Sequence, residues 1–176
     1  MHSVQFIYVK NIVSRTVNGT FQEISFAVRV RDIGFGKRVV IHWCGEDREW
    51  RETPAEFRCA LGDGFEVWVA ELAIPLATDS AIPGNIQFAA CLERDGERHW
   101  DSRFGSNYRS DADSGVIVFE PVDVRVVGCG PLLPPGLVSL PLEVAVRRET
   151  GPEAVTVHWT VDGWVTRHQA QAYFRR

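Results

Sequence analysis

The sequence lacks several features that would mark other classes of protein. It has 176 residues, a net charge of −4 and no run of basic residues, so a nucleic-acid partner is not expected. Its apolar runs are short and are interrupted by charged residues, so no membrane-spanning segment is expected. The first residues lack the charged and then apolar pattern of an export signal, and we therefore expect a cytoplasmic location.

Cysteine and histidine are arranged in ways that disfavour a metal site or a disulfide framework. The four cysteines (Cys44, Cys59, Cys91 and Cys129) show no C-x-x-C spacing, and the five histidines show no H-x-x-x-H spacing. Without an export signal, we interpret the cysteines as reduced thiols that mostly pack inside the protein. We therefore expect neither a cofactor nor a metal.

The sequence does contain repeated alternation of apolar and polar residues, which is typical of strands with one buried face. Ile24, Phe26, Val28 and Val30, for example, alternate with small or charged residues. The predicted strands cover residues 4–13, 24–30, 39–43, 65–72, 86–92 and 116–119. With further short strands between turns, and without sustained helical spacing, the first part of the chain predicts an all-β, immunoglobulin-like antiparallel β-sandwich of about eight strands.

Self-comparison predicts one complete module over residues 1–121 and the first half of a second over residues 122–176. Residues 39–43 (VVIHW) resemble residues 155–159 (VTVHW), and each run is followed by an acidic turn and a tryptophan, Trp50 or Trp164. The Pro/Gly-rich segment 130–136 lies inside the second copy. A half-sandwich leaves apolar faces uncovered, so either the natural chain continues past Arg176 or this half packs on the first module or on another chain.

Residues 99–108 (HWDSRFGSNY) place aromatic and hydrogen-bonding side chains close together. Trp100 is followed at once by Asp101, and Asn107 and Tyr108 close the segment. An aromatic ring can cover the flat C–H face of a pyranose, and Asp and Asn side chains can bond to its hydroxyls. The alternative is a β-turn in which Trp100 and Tyr108 are ordinary packing residues and Asp101 bonds only to backbone groups.

Four signals in order resemble family 21 of the carbohydrate-binding modules: residues 28–32 (VRVRD), residues 35–39 (FGKRV), Trp50 and residues 100–108. The resemblance covers about residues 6–119. This family includes the starch-binding domain of some fungal glucoamylases and the glycogen-targeting subunits of protein phosphatase 1. The resemblance implies an immunoglobulin-like sandwich of eight strands that binds α-1,4-glucan without catalysis.

The resemblance also implies a first sugar-binding site in which Trp50 and Trp100 stack on glucose. Asn107 matches a sugar-contacting asparagine of the family. Asp101, the acidic residue next to Trp100, could contact a sugar hydroxyl. The Asn-Asn pair that usually follows Trp-Asp in the family is Ser102-Arg103 here, which removes two side-chain amides.

A second implied site would use Phe35 and Lys37, together with aromatic positions that match Phe57 and Phe65. Starch-binding members have tyrosine where this chain has phenylalanine, so hydroxyl contacts are lost there. We therefore favour the site of Trp50 and Trp100 over this second site.

The predicted function is non-catalytic binding of a polysaccharide or malto-oligosaccharide of the α-1,4-glucan class, in a targeting or scaffolding role. The alternative is a β-sandwich interaction domain that has lost sugar binding, which the Ser102-Arg103 departure favours. A glycosidase is disfavoured because hydrolysis needs paired carboxylates across a cleft, whereas Asp47 and Asp101 lie on predicted turns. For the partial second repeat we expect a protein partner or self-association.

Overall fold

A computed structural model describes residues 2–76, 84–129 and 141–174, so the Pro/Gly-rich segment 130–136 lies outside the described residues. The chain divides into two compact units, Met1–Pro121 and Val122–Arg176. Within the described ranges, no helix has the length and apolar character needed to cross a membrane. The fold is all-β, as the alternation of apolar residues predicts, and its sheets are antiparallel.

Two antiparallel sheets form the first unit. One sheet has the strand order β10-β1-β2-β6-β5, and the other has the order β4-β3-β7-β8, with β9 also paired to β7. The strands are β1 (Val4–Thr16), β2 (Gly19–Arg31), β3 (Arg38–Cys44), β4 (Arg51–Pro54), β5 (Glu56–Ala60), β6 (Phe65–Leu76), β7 (Ile86–Arg94), β8 (Glu97–Asp101), β9 (Tyr108–Ser110) and β10 (Gly115–Val118).

The described part of this unit has more strands than the eight or so that we predict, for two local reasons. Ala55 separates β4 from β5, and these two strands pair with different sheets. The loop at residues 102–107 likewise separates β8 from β9, although both strands pair with β7. Neither interruption alters the sandwich.

Side chains from both sheets form one core. Phe6 and Phe26 from the first sheet are fully buried against Phe88 and Ile41 from the second. The ring of Tyr108 stacks on that of Phe88, with centroids 5.7 Å apart. These aromatic contacts attach the segment around Tyr108 to the centre of the sandwich.

The outer face of the sheet β4-β3-β7-β8 carries two short rows of side chains. Val40 pairs with Cys91, which pairs with Trp100 on the next strand. His42 pairs with Ala89 in the neighbouring row. Because successive residues of a strand point to opposite faces, these rows lie on the side opposite the core residue Ile41.

The described residues of the second unit form two antiparallel strand pairs. In the first pair β11 (Val124–Cys129) lies beside β12 (Leu142–Val146), and in the second, a hairpin, β13 (Thr156–Trp159) lies beside β14 (His168–Gln171). A short 3₁₀ turn at Arg148–Thr150 lies between the two pairs in sequence. The side chains of β14 are exposed, and those of β13 are mostly exposed. Its origin as an incomplete repeat stays a prediction.

Candidate functional site

An open groove of about 370 Å³ lies on the outer face of the sheet β4-β3-β7-β8. Two of its side chains come from strands β3 and β7, one comes from β8, and the others come from the loops at residues 45–50 and 102–107. The lining residues are His42, Trp50, Ala89, Trp100, Ser102 and Asn107. The fold therefore brings Trp50 together with Trp100 and Asn107, which lie about 50 residues further along the chain.

Trp100 lies on β8 and points away from the core. Its indole contacts the imidazole of His42, with ring centroids 4.7 Å apart and ring planes inclined by 46°. It is nevertheless 46% exposed. The indole is thus held from one side by the sheet and keeps surface available to a ligand in the groove.

Trp50 ends the loop that connects β3 to β4. Asp47 fixes this loop, because its carboxylate accepts hydrogen bonds from Arg51 Nη2 at 2.6 Å, Arg51 Nη1 at 3.1 Å and the backbone N–H of Glu49 at 3.1 Å. The bond from Arg51 is the main reason that the pKa of Asp47 lies below its ordinary value. Trp50 is 51% exposed, so local hydrogen bonds rather than burial set its position.

The loop at residues 102–107 supplies Ser102 and Asn107 to the groove. The carbonyl of Ser102 accepts hydrogen bonds from the N–H groups of Gly105 and Asn107, at 3.1 and 2.8 Å. Arg103, Phe104, Gly105 and Asn107 all have positive φ angles, between 49° and 86°. Asparagine and glycine tolerate this left-handed backbone, whereas arginine and phenylalanine adopt it at a cost.

Asp101 is not among the residues that line the groove, and its contact with sugar stays a prediction. One carboxylate oxygen accepts from the backbone N–H of Phe6 and the other from the hydroxyl of Tyr108, both at 2.8 Å. Burial, followed by this bond to Asp101, raises the pKa of Tyr108. Asp101 therefore joins β8 to β1 and β9. Its inward direction follows from strand alternation, since its neighbour Trp100 points outward.

The second predicted site is built differently, and Lys37 shows the difference most clearly. The Lys37 side chain is 6% exposed, and its Nζ donates to Asp32 Oδ1 at 3.2 Å, to the Gly34 carbonyl at 3.1 Å and to Glu66 Oε1 at 2.9 Å. An ammonium group has three protons, so these bonds use its full donor capacity. Lys37 therefore ties its loop to β6, and its contact with sugar stays a prediction.

The aromatic residues predicted for the second site fall into two groups. Phe35 is fully exposed at a loop tip, and Phe57 is half-exposed with its ring edge-on to Trp68 at 6.0 Å. Phe65 is only 7% exposed, and the guanidinium of Arg29 lies 3.6 Å from its ring centroid. The surface of Phe65 is thus largely covered by the core and by Arg29, and its contact with sugar stays a prediction.

The sequence analysis does not identify His42 and Phe104, two residues near the groove, as candidates. His42 lines the groove and its Nε2 is buried without a hydrogen-bond partner among the described residues, while Nδ1 lies 3.7 Å from Glu52 Oε1. Phe104 is fully exposed at the tip of the loop that carries Asn107. The outward position of His42 in the alternating run 39–43 could have indicated it.

The fold and the groove together define a class: an antiparallel β-sandwich that presents tryptophans and neutral polar groups in an open groove. No protein-family model matches the sequence, and no curated protein matches it. One solved structure similar to this chain is the solution structure of the carbohydrate binding module of the muscle glycogen-targeting subunit of protein phosphatase-1. The TM-score is 0.39 at 20% identity, over 60% of this chain and 77% of that chain. That similarity is too low to carry an argument about function.

Proposed function

We propose that this protein binds α-1,4-glucan without catalysis through the groove that contains Trp50 and Trp100. The observation that carries the proposal is the convergence of two half-exposed indoles with the Asn107 amide and the Ser102 hydroxyl in one open groove. The resemblance of the sequence to family 21 implies sugar contacts for both tryptophans and Asn107, and it does not depend on the geometry of the groove. Glycogen, starch and malto-oligosaccharides are the ligands of this class.

The chemistry of the lining suits a neutral sugar. The flat C–H face of a pyranose is apolar, whereas its edge carries hydroxyl groups. Trp50 and Trp100 supply aromatic faces, and Asn107 can both donate to and accept from a hydroxyl. A charged ligand would need a paired ion in the groove, and hydrolysis would need two opposed carboxylates. The lining offers stacking and hydrogen bonding instead.

The expected affinity is modest. Covering one glucose face with an indole removes roughly 80–100 Å² of apolar surface from water, which stabilises the complex by roughly 2 kcal/mol per ring. The groove is open, so its hydrogen bonds to sugar compete with water, and association has its own entropic cost. We therefore expect dissociation constants in roughly the micromolar to millimolar range for a short oligosaccharide.

Titration with maltoheptaose, followed by tryptophan fluorescence and calorimetry, tests the proposal. The single substitutions Trp50→Ala and Trp100→Ala should each weaken binding by about tenfold, because each removes one stacking surface. Val17→Ala is the matched control, since Val17 is fully exposed on the β1–β2 turn and should leave binding unchanged. A β-linked cello-oligosaccharide of similar length is the ligand control and should bind more weakly.

Two results would overturn the proposal. If both tryptophan variants bind maltoheptaose as the unsubstituted protein does, this groove is not the binding site. If the unsubstituted protein binds neither maltoheptaose nor glycogen, the alternative of a β-sandwich interaction domain without sugar binding is favoured. A role in targeting or scaffolding, a cytoplasmic location and a protein partner for the second unit stay predictions.

A further inference from the structure

The β13–β14 hairpin of the second unit presents a tryptophan on a loop that is fixed by its own hydrogen bonds. The Asp162 carboxylate accepts from the Thr160 hydroxyl at 2.7 Å, from the Thr166 hydroxyl at 2.7 Å and from the Thr166 N–H at 2.9 Å. Thr160 Oγ1 in turn accepts from the N–H of Trp164 at 3.1 Å. The bonds from Thr166 and Thr160 lower the pKa of Asp162 to about 2, so the carboxylate is ionised at neutral pH.

Packing does not explain where the Trp164 side chain lies. The residue is 59% exposed, and its φ of +75° is unfavourable for a bulky side chain. The guanidinium of Arg167 lies 6.0 Å from the centroid of the indole ring. The loop thus holds a large aromatic surface in water beside a hydrogen-bond donor, a combination that a stacked pyranose with its hydroxyls would use.

The hairpin resembles β3–β4 of the first unit in its construction. Trp43 near the end of β3 pairs with Arg51 of β4, and the Arg51 guanidinium lies 5.4 Å from the Trp43 ring. Trp159 at the end of β13 pairs with His168 of β14, and their rings stack with centroids 5.5 Å apart. In both hairpins a tryptophan at the end of a strand is therefore matched with a cationic or aromatic side chain on the returning strand.

The connecting loops share a second feature. Each is fixed by an aspartate with a lowered pKa, Asp47 in the first unit and Asp162 in the second. Each loop also carries a tryptophan that is more than half exposed, Trp50 in the first unit and Trp164 in the second. The loop of the first unit contributes its tryptophan to the proposed glucan groove, and this points to the same ligand class for the loop of the second unit.

We propose that Trp164 is the stacking surface of a second α-glucan site, so that one chain can hold a glucan polymer at two points. This inference rests on the proposed function of the first unit. A polymer held at one site is at a raised effective concentration for the other, which strengthens binding to glycogen more than binding to a short oligosaccharide.

The test uses the full chain labelled with ¹⁵N, in which each of the six tryptophans gives one indole N–H peak in a ¹H–¹⁵N spectrum. Single tryptophan variants assign the peaks. Addition of maltoheptaose should shift the Trp164 peak together with those of Trp50 and Trp100. The Trp164 shift should persist in the double variant Trp50→Ala/Trp100→Ala, because the second site binds on its own.

Glycogen co-sedimentation supplies the second measurement. Trp164→Ala should weaken apparent glycogen affinity by about fivefold or more, with a smaller effect on maltoheptaose. The backbone N–H that bonds to Thr160 is retained in this variant, so the loop should keep its structure, and Trp164→Phe should restore most of the binding. Tyr173→Ala removes a more exposed aromatic residue of the same unit and should have no effect.

The outcomes separate this inference from the proposed function. If the peaks of Trp50 and Trp100 shift while that of Trp164 does not, the second site is disproved and the proposed function of the groove stands. If the Trp164 peak shifts but Trp164→Ala binds glycogen as tightly as the unsubstituted protein does, Trp164 does not contribute to polymer binding and the second site is disproved. If no tryptophan peak shifts, both proposals fall.

Discussion

The two sugar sites predicted for the first unit differ in what their loops do with the predicted side chains. In the groove, hydrogen bonds within the loops fix the backbone and leave Trp50 and Asn107 free to face a ligand. In the Phe35 loop, the bonds that fix the backbone come from Lys37, the predicted sugar contact itself. We therefore expect a motif residue to contact a ligand only where the fold does not already use its side chain.

The largest expected effect is on maltoheptaose affinity, and it distinguishes the groove from the second predicted site around Phe35. The double variant Trp50→Ala/Trp100→Ala should weaken maltoheptaose binding by about a hundredfold, because both stacking surfaces are lost. Phe35→Ala should change it by less than about twofold, since Lys37 and Phe65 are not available to complete a site around Phe35. Calorimetric titration measures both, and a larger effect from Phe35→Ala would restore the second site.

Asp101 offers a sharper distinction between a ligand contact and a structural anchor. Asp101→Ala should lower the free energy of unfolding by about 2–3 kcal/mol, because the N–H of Phe6 and the hydroxyl of Tyr108 both lose their acceptor. Urea denaturation measures this change, with the neighbouring Ser102→Ala as a control of small effect on stability. A tenfold loss of maltoheptaose affinity at unchanged stability would make Asp101 a sugar contact after all.

Substitution of Lys37 tests whether this residue of the second predicted site is a ligand contact or a structural anchor. Lys37→Met should lower the free energy of unfolding by about 1–2 kcal/mol, since the largely buried pair with Glu66 is broken and the loop loses its attachment to β6. Lys37→Arg keeps the charge and should cost less. Maltoheptaose affinity should be unchanged in both variants; a selective loss of affinity in Lys37→Met would instead indicate contact with sugar.

Much of the fold could be predicted because one-sided burial leaves a strong alternation in sequence. Strands β2, β3, β6 and β7 each place alternate residues in the core, although β3 and β7 are largely buried on their outer face as well. The short strands β4 and β5 escaped prediction because they are sheet edges whose side chains are largely exposed, and Pro54 interrupts the pattern. Edge pairing is decided by neighbours distant in sequence.

The candidate site was predictable to the extent that it depends on local sequence. Trp50 stands among charged neighbours, which indicates exposure, and Trp100 is placed outward by strand alternation. The burial of Lys37 and Phe65 depends instead on Glu66 and Arg29, residues about 30 positions away that only the fold brings close. Sequence reasoning therefore located the exposed aromatics but could not anticipate the burial of side chains whose partners are non-local.

Tyr108 gives a pH-dependent test of the anchor beside the groove. Tyr108→Phe should lower the free energy of unfolding by about 1 kcal/mol at pH 7, because the bond to Asp101 is lost. Burial raises the folded-state pKa of Tyr108 above its ordinary value of 10, so its contribution is complete below pH 10 and declines as the pH rises further. Urea denaturation should show the difference between the two proteins narrowing between about pH 10 and 11. A constant difference over that range would contradict the assignment.

The smallest expected effect concerns Arg103, where the chain departs from the Asn-Asn pair of the family it resembles. Arg103 has a φ of +49°, a conformation that asparagine adopts more readily than arginine. Arg103→Asn should therefore raise the free energy of unfolding by about 0.5 kcal/mol. Arg109→Asn is the matched control: Arg109 is an exposed residue of β9, where asparagine is disfavoured, and the change should be neutral or destabilising.

Because residue 103 does not line the groove, Arg103→Asn should leave maltoheptaose affinity unchanged. An increase in affinity would mean that the amide at this position reaches the sugar, and that the groove extends along the loop toward Phe104.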